Sequence, residues 1–165
     1  MDLEKEVEKY KLGNELAFHQ IYKETRSLVQ FAIYSYIPNR HIVEDLMQDT
    51  YVKVHQKIKE YHQKSFRSWI YLIAKNTALD YLKKKKEMIM DSLDVFPDMS
   101  STHPFLYYAI RHLKELEREV FLMKVLCGHT SKRISEILEI KPSMVNQYYL
   151  LAKQKLREYL KDVEE

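Results

Sequence analysis

Apolar side chains recur at helical spacing along most of the chain, and the points where the recurrence stops divide it into segments. From Leu16 to Tyr36 they fall at Leu16, Phe18, Ile21, Tyr22, Leu28, Phe31, Ala32 and Tyr36, and Pro38 and Asn39 close the run, which predicts a first long helix. Asn39 can cap a second helix, with Glu44 and Asp45 near the positive end of its dipole and a stripe of Ile42, Leu46, Tyr51, Val54 and Ile58 running to about Tyr61. His62 to Lys64 interrupt the pattern, and Ser65 can cap a third helix bearing Phe66, Trp69, Ile70, Ile73, Thr77 and Tyr81.

Between 87 and 104 the periodicity fails, and Asp91, Ser92, Asp94, Pro97, Asp98, Ser100, Ser101 and Pro104 read as a linker. Helical spacing resumes at Phe105, Leu106, Ala109, Ile110 and Leu113, continues through Val120, Phe121, Met123 and Leu126, and stops at the terminator Gly128. Thr130 can cap a short helix with Ile134, Ile137 and Leu138; Pro142 stands where the first residue of a last helix belongs, ahead of Val145, Tyr149, Ala152 and Leu156. Two helices in such close succession form a helix-turn-helix pattern. The expected fold is all-α, with two small helical domains at 1–86 and 105–165 joined by a flexible acidic linker at 87–104.

Composition supports helices, since 165 residues contain two glycines and four prolines, too few for the tight turns of a sheet protein. With 45% apolar residues the chain can bury one modest core or two small ones. The single cysteine, Cys127, excludes an internal disulfide framework and a cysteine-based zinc site, and reads as a small packed residue. No apolar stretch matches a membrane span and the N-terminus is charged, so the expected compartment is the cytoplasm, without membrane insertion. Net charge is only +3, but seven basic residues face one acidic residue between 61 and 86, whereas 87–104 holds four acids and no Lys or Arg. A local positive field of this kind selects polyanions, so nucleic acid is the expected partner.

The segment Glu44-Asp45-Leu46-Met47-Gln48-Asp49-Thr50-Tyr51, followed by the run from Ser65-Phe66-Arg67-Ser68-Trp69-Ile70 to Asp80-Tyr81-Leu82-Lys83-Lys84, resembles sigma domain two of the extracytoplasmic-function (ECF) sigma factors of the sigma-70 superfamily. The second half is similar, more weakly, to sigma domain four, with Glu117-Arg118-Glu119-Val120-Phe121 leading into the helix-turn-helix. The resemblance implies a non-enzymatic subunit that binds core RNA polymerase and promoter DNA and directs transcription initiation, and the chain length fits that plan.

It also implies roles for particular positions. Asp45, Leu46, Gln48 and Asp49 would dock on the coiled-coil clamp of the largest polymerase subunits, in keeping with charge-assisted pairing of acids to arginine. The loop Tyr61-His62-Gln63-Lys64-Ser65 would pocket a base flipped from the −10 element, with Tyr61, Phe66, Trp69 and Tyr71 offering aromatic faces. Lys75, Lys83 and Lys84, in a run reaching Lys86, can neutralise phosphates, and Asn76 and Asp80, one turn apart, can contact base edges or phosphates. On spacing alone Trp69 and Ile73 belong to the core, the place of Tyr61 and Phe66 is open, and the lysine run equally suits a solvated helix end.

The last helix departs from the family pattern, because most of its usual basic residues are replaced in Met144-Val145-Asn146-Gln147-Tyr148-Tyr149-Leu150-Leu151-Ala152-Lys153. Asn146 and Gln147 can each pair with adenine in the major groove, and Ser143, Tyr148, Lys153, Lys155 and Arg157 can reach the backbone of the −35 duplex. Glu139 occupies a turn position where the family commonly has glycine, and Leu150 and Leu151 leave either an apolar surface or a packing face. For the acidic linker the resemblance implies a path through the RNA exit channel of the polymerase, where its charge would mimic RNA; a passive tether is the other reading.

His19, His41, His55, His62, His103, His112 and His129 lack metal-ligand spacing, and no phosphate loop, nucleophile elbow or catalytic carboxylate pair is present. No metal, cofactor, catalytic residue or small-molecule substrate is therefore expected, whereas an anti-sigma factor is an expected partner by resemblance. Two other readings stay open on sequence: a polymerase-independent helix-turn-helix regulator, and a sigma-like protein that titrates an anti-sigma factor.

Overall fold

The computed structural model describes residues 2–62, 65–88 and 104–164. Among these the regular elements are all helical: α1 (Leu3–Lys11), α2 (Glu15–Tyr34), α3 (Arg40–Lys57) with a 3-10 turn at Ile58–Glu60, α4 (Phe66–Met88), α5 (Pro104–Arg111), α6 (Glu115–Val125), α7 (Ser131–Leu138) and α8 (Pro142–Glu164). They belong to two compact units, Met1–Leu93 and Asp94–Glu165. Gln63, Lys64 and the expected linker residues at 89–103 lie outside the described residues, while α4 and α5 reach into the ends of the stretch read as aperiodic.

In the first unit α2 is the centre, packing against α1, α3 and α4, and α3 also packs on α4. Helix α1 is not among the elements expected from periodicity. Its signals are a cap from Asp2, acids Glu4 and Glu6 in the first turn and bases Lys9 and Lys11 in the last, but it buries only Val7 and Tyr10. Nine residues with two inward positions make too short a stripe to stand out, and a helix of that length forms only by packing.

Helix α2 corrects the expected stripe by one residue. Leu16 is 81% exposed, whereas Ala17, Ile21, Thr25, Leu28 and Ala32, spaced by four or three, face inward. Thr25 can be buried because its hydroxyl donates to the Ile21 carbonyl at 2.7 Å and meets the Tyr51 hydroxyl at 2.9 Å. Burial pushes the Tyr51 phenol up to about 12, against the smaller opposing effect of that Thr25 contact. Asn39 caps α3 through Ile42 N–H at 3.2 Å, as its position predicts. Ile21, Ile33, Val43, Val54, Ile58, Phe66 and Ile70 are completely buried, each contributing about 1.5–3 kcal/mol relative to exposure.

In the second unit α5, α6 and α7 each pack against α8, around Ile110, Leu122, Ile134, Val145 and Ala152. Helix α6 ends ahead of Gly128, whose φ of +67° needs a residue without Cβ strain. Thr130 caps α7 through Arg133 N–H at 3.2 Å, and Pro142 opens α8. Glu139 adopts φ 55° and ψ 39°, the left-handed geometry in which glycine is at ease, and its N–H closes α7 on the Ser135 carbonyl. Ser135 in turn donates to the Ile140 carbonyl, bracing the turn between α7 and α8.

Candidate functional site

Helix α3 turns one side to its own core and the other outward. Val43, Leu46, Thr50 and Val54 are buried, and Asp45, Gln48 and Asp49 are exposed. Leu46, expected to share the docking role, is only 6% exposed. A leucine one position after Asp45 is rotated by about 100° towards the core and holds the helix in place; the exposed apolar residue on the outer side is instead Val52, three positions after Asp49 and four after Gln48. Sequence gives no sign of Val52, because it stands between Tyr51 and Val54 of the apolar stripe and its own position falls outside that stripe's spacing. Arg40 and Glu44 form an exposed pair at 2.9 Å, which leaves Asp45 and Asp49 as the acids of this face.

Tyr61, Ser65 and Phe66, at the entrance to α4, are each held by hydrogen bonds. Ser65 caps locally, its Oγ accepting from Ser68 N–H at 3.3 Å and from the Ser68 hydroxyl at 2.9 Å. Glu4 of α1 accepts from Phe66 N–H at 2.7 Å with one carboxylate oxygen and from the Tyr61 hydroxyl at 3.1 Å with the other. Lys11 donates to the Tyr61 carbonyl at 2.6 Å and lies 5.3 Å from the centre of that ring. Tyr61, Phe66 and Trp69 form a cluster with centroid separations of 5.2–5.3 Å.

Burial in and beside this cluster closes what spacing left open for Tyr61 and Phe66 and departs from spacing at Trp69 and Ile73. Tyr61 is 4% exposed, Phe66 completely buried and Tyr71 1% exposed, so these rings are core and do not present open faces to bases. Trp69 and Ile73, which spacing assigned to the core, are half-buried, and Trp69 is the ring of the cluster that keeps access to solvent. Phe66, Ile70 and Ala74, spaced by four, share the completely buried side of α4, and Trp69 and Ile73, each one position before a residue of that row, are rotated by about 100° from it. Burial, followed by the Glu4 charge, raises the Tyr61 phenol well above its ordinary value.

Along α4, Asn76, Asp80, Lys83 and Lys84 are all exposed. Asp80 follows Asn76 by four residues and precedes Lys83 and Lys84 by three and four, so they form one stripe, while Lys75 is half-buried and already engaged. His62 is exposed before the helix. Lys85 lies 5.9 Å from the centre of the Tyr81 ring. A cation from another helix joins this surface: Lys53 of α3 donates to Thr77 Oγ1 at 2.9 Å, next to Asn76, a proximity no single-helix pattern could show.

In the second unit Ser143, Asn146 and Gln147 are exposed at the start of α8, and Tyr148 is half-buried. Asn146 is held by α7, its Oδ1 accepting from the Ser131 hydroxyl at 2.6 Å. Lys153 and Lys124 lie 4.8 and 5.3 Å from the centre of the Tyr149 ring, which stacks on Phe121 at 6.1 Å. Lys155, expected to reach DNA backbone, is engaged elsewhere: its Nζ donates to both oxygens of the buried Glu117 carboxylate at 2.8 and 2.9 Å. Glu117 also accepts from Lys114 N–H at 3.1 Å, so this one carboxylate caps α6 and ties it to α8. Leu150, at 62% exposure, and Leu151 leave an apolar surface. Among the described residues no group of three or more His, Cys, Asp and Glu side chains could hold a metal.

Two family models match this chain in order, Sigma-70 region 2 over residues 21–87 and Sigma-70 region 4 over residues 106–156. The ECF RNA polymerase sigma factors SigM and SigW of Bacillus subtilis (strain 168) are each 23% identical to it; the SigM match covers 86% of this chain and 94% of SigM, the SigW match 99% of both. Two solved structures share its fold: CnrH in complex with the cytosolic domain of CnrY, at TM-score 0.68 and 18% identity over 98% of this chain and 99% of the other, and the sigma factor RpoE in complex with the anti-sigma factor NepR from Bartonella quintana, at TM-score 0.66 and 21% identity over 87% and 96%. With a basic helix in the first unit and a helix-turn-helix in the second, in the order of those regions, this chain belongs to the sigma-70 family as an ECF-type sigma factor that directs transcription initiation by RNA polymerase.

Proposed function

We propose that the outer side of α3 grips core RNA polymerase, that α4 with the segment before it takes the −10 promoter strand, and that the start of α8 reads the −35 duplex. The observation that carries this division is exposure: Asp45, Gln48 and Asp49 on α3, Asn76, Asp80, Lys83 and Lys84 on α4, and Ser143, Asn146 and Gln147 on α8 all face outward. Asp45 and Asp49 pair with arginine on the polymerase, and Val52 adds a desolvated apolar contact beside them. On α4 the lysines, joined by Lys53 and by Lys75, track phosphates, while Asn76 and Asp80 meet base edges at the border of the opened duplex. His62, Gln63, Lys64 and Ser65 take the flipped base, with the half-buried face of Trp69 beside them. In the second unit Tyr148 and Lys153 make the backbone contacts, a thin grip because Lys155 is held by Glu117 and Lys153 lies on Tyr149.

The apolar pair Leu150 and Leu151 fits a regulatory protein partner, and the anti-sigma factor bound to the similarly folded RpoE supports an anti-sigma factor in that role. No helix among the described residues is long and apolar enough to cross a membrane, and the proposed place of action is the cytoplasm, where polymerase and promoter are found. The test is run-off transcription with core polymerase on promoters altered separately at −10 and −35. Stimulation that depends on both elements is expected; stimulation indifferent to the −35 sequence would remove the role given to α8.

A further inference from the structure

We infer that α1 is a brace for the −10 capture loop and that Glu4 and Lys11 are positioning residues for strand capture, an inference that rests on the loop assignment proposed above. The residues at both ends of the loop are tied to this one helix. At its start, Tyr61 is held by its hydroxyl on Glu4 at 3.1 Å and by its carbonyl on Lys11 at 2.6 Å; at its end, Phe66 N–H is held by Glu4 at 2.7 Å. A single carboxylate therefore links the two ends, 57 and 62 residues away in sequence.

The arrangement exceeds what capping α4 requires. Ser65 already supplies a local cap through Ser68 N–H, and Glu4 takes a second first-turn donor from a different helix, adding a negative charge at the positive end of α4. Fixing both ends of a loop removes conformations that would otherwise be lost when a ligand orders it, so the brace favours strand binding through preorganisation. Glu4 and Lys11 bond to Tyr61 and Phe66, whereas Asp45 and Asp49 lie on the outer side of α3 and Asn146 belongs to the second unit, so polymerase docking and −35 reading should not depend on these two side chains.

The sign of one variant separates positioning from charge. A carboxylate beside a bound DNA strand is repelled by phosphate, and Glu4→Gln removes that repulsion while keeping an oxygen for Phe66 N–H and a polar group for Tyr61. The experiment uses holoenzyme reconstituted with the full chain and a forked DNA carrying a single-stranded −10 segment, with a fluorescent base analogue at the flipped position. Glu4→Ala should weaken strand capture on the order of tenfold, the scale of a removed helix cap, and Lys11→Met should weaken it less. Glu4→Gln should restore capture to within about threefold of wild type. Core-polymerase binding and −35 duplex binding should not move.

Val7→Ala supplies the control for mere destabilisation, since it removes buried packing from α1 and leaves the Glu4 and Lys11 hydrogen bonds intact. At matched loss of Tm, capture per folded molecule should fall in Glu4→Ala and hold in Val7→Ala. Parallel loss in the two variants, or wild-type capture by Glu4→Ala, overturns the inference. A wild-type holoenzyme that fails to show base flipping at all sinks the loop assignment itself and the brace with it.

Discussion

Asn146, proposed above to read the −35 duplex, has its amide oxygen already engaged by Ser131 at 2.6 Å. Its Nδ2 hydrogens are then the outward group, which suits an acceptor such as guanine N7 or O6, or thymine O4, better than the donor–acceptor edge of adenine. Asn146→Ala should reduce −35-dependent transcription by roughly fivefold, on the scale of one base contact, and Ser131→Ala should relax base preference at the same promoter position by freeing the amide to rotate. A promoter library read by run-off transcription measures both, and an unchanged preference in Ser131→Ala would show that the hydroxyl does not orient the amide. Sequence offers Asn146 as a candidate base reader from its residue type and place on the last helix. It cannot show Ser131, 15 residues earlier on another helix, because that hydrogen bond exists only once α7 folds across α8.

At the scale of elements, α4 joins two chemistries along one helix, a buried aromatic start and an exposed basic end. Replacing Lys83 and Lys84 by Gln should lower the slope of log affinity against log salt by about 0.7–0.9 for each phosphate no longer neutralised, measured by promoter-binding titrations between about 50 and 200 mM salt. Lys85→Gln should change it less, since Lys85 lies on Tyr81. Helices α2 and α3 share a different dependence. The Tyr51 phenol is held at about 12 in the folded state against an ordinary 10.0, so the neutral form is favoured by folding. Its contribution is complete below pH 10 and is lost as the pH rises from there towards about 12. The sign follows because the unfolded chain gives up this proton first. Tyr51→Phe should therefore flatten the fall of stability across that interval, by on the order of 2–3 kcal/mol in denaturant titrations, leaving the share due to Tyr61. Capping residues make most helix starts readable in the sequence, with Asn39, Ser65, Thr130 and Pro142 all where their types predict. Helix α1 is not readable in this way, and the inward side of α2 is misleading because Ala17 and Thr25 look weakly apolar while Leu16 looks strongly so. Small side chains win those places where helices approach closely, a condition that only the neighbours impose.

For the whole molecule, transcription requires polymerase docking before promoter recognition has any effect. Asp45→Lys combined with Asp49→Lys should reduce association with core polymerase at least about tenfold, the scale of two desolvated charge pairs, and abolish run-off transcription. Both side chains are exposed, so Tm should stay within about 2 °C of wild type by differential scanning calorimetry, and a larger drop would mean that the acids serve the fold instead. The sequence by itself determined the helical class, the two-part organisation and most helix boundaries, because these follow from local spacing and caps, and it offered the candidates for DNA and polymerase contact. Tertiary structure alone decided which candidates face outward. It turned Leu46, Tyr61 and Phe66 into the core, engaged Lys155 with Glu117, brought Lys53 to α4 and put Glu4 at the entrance to that helix. Those outcomes depend on side chains from helices far apart in the chain competing for the same space and the same hydrogen-bond donors, and neither competition is written in the order of residues along one helix.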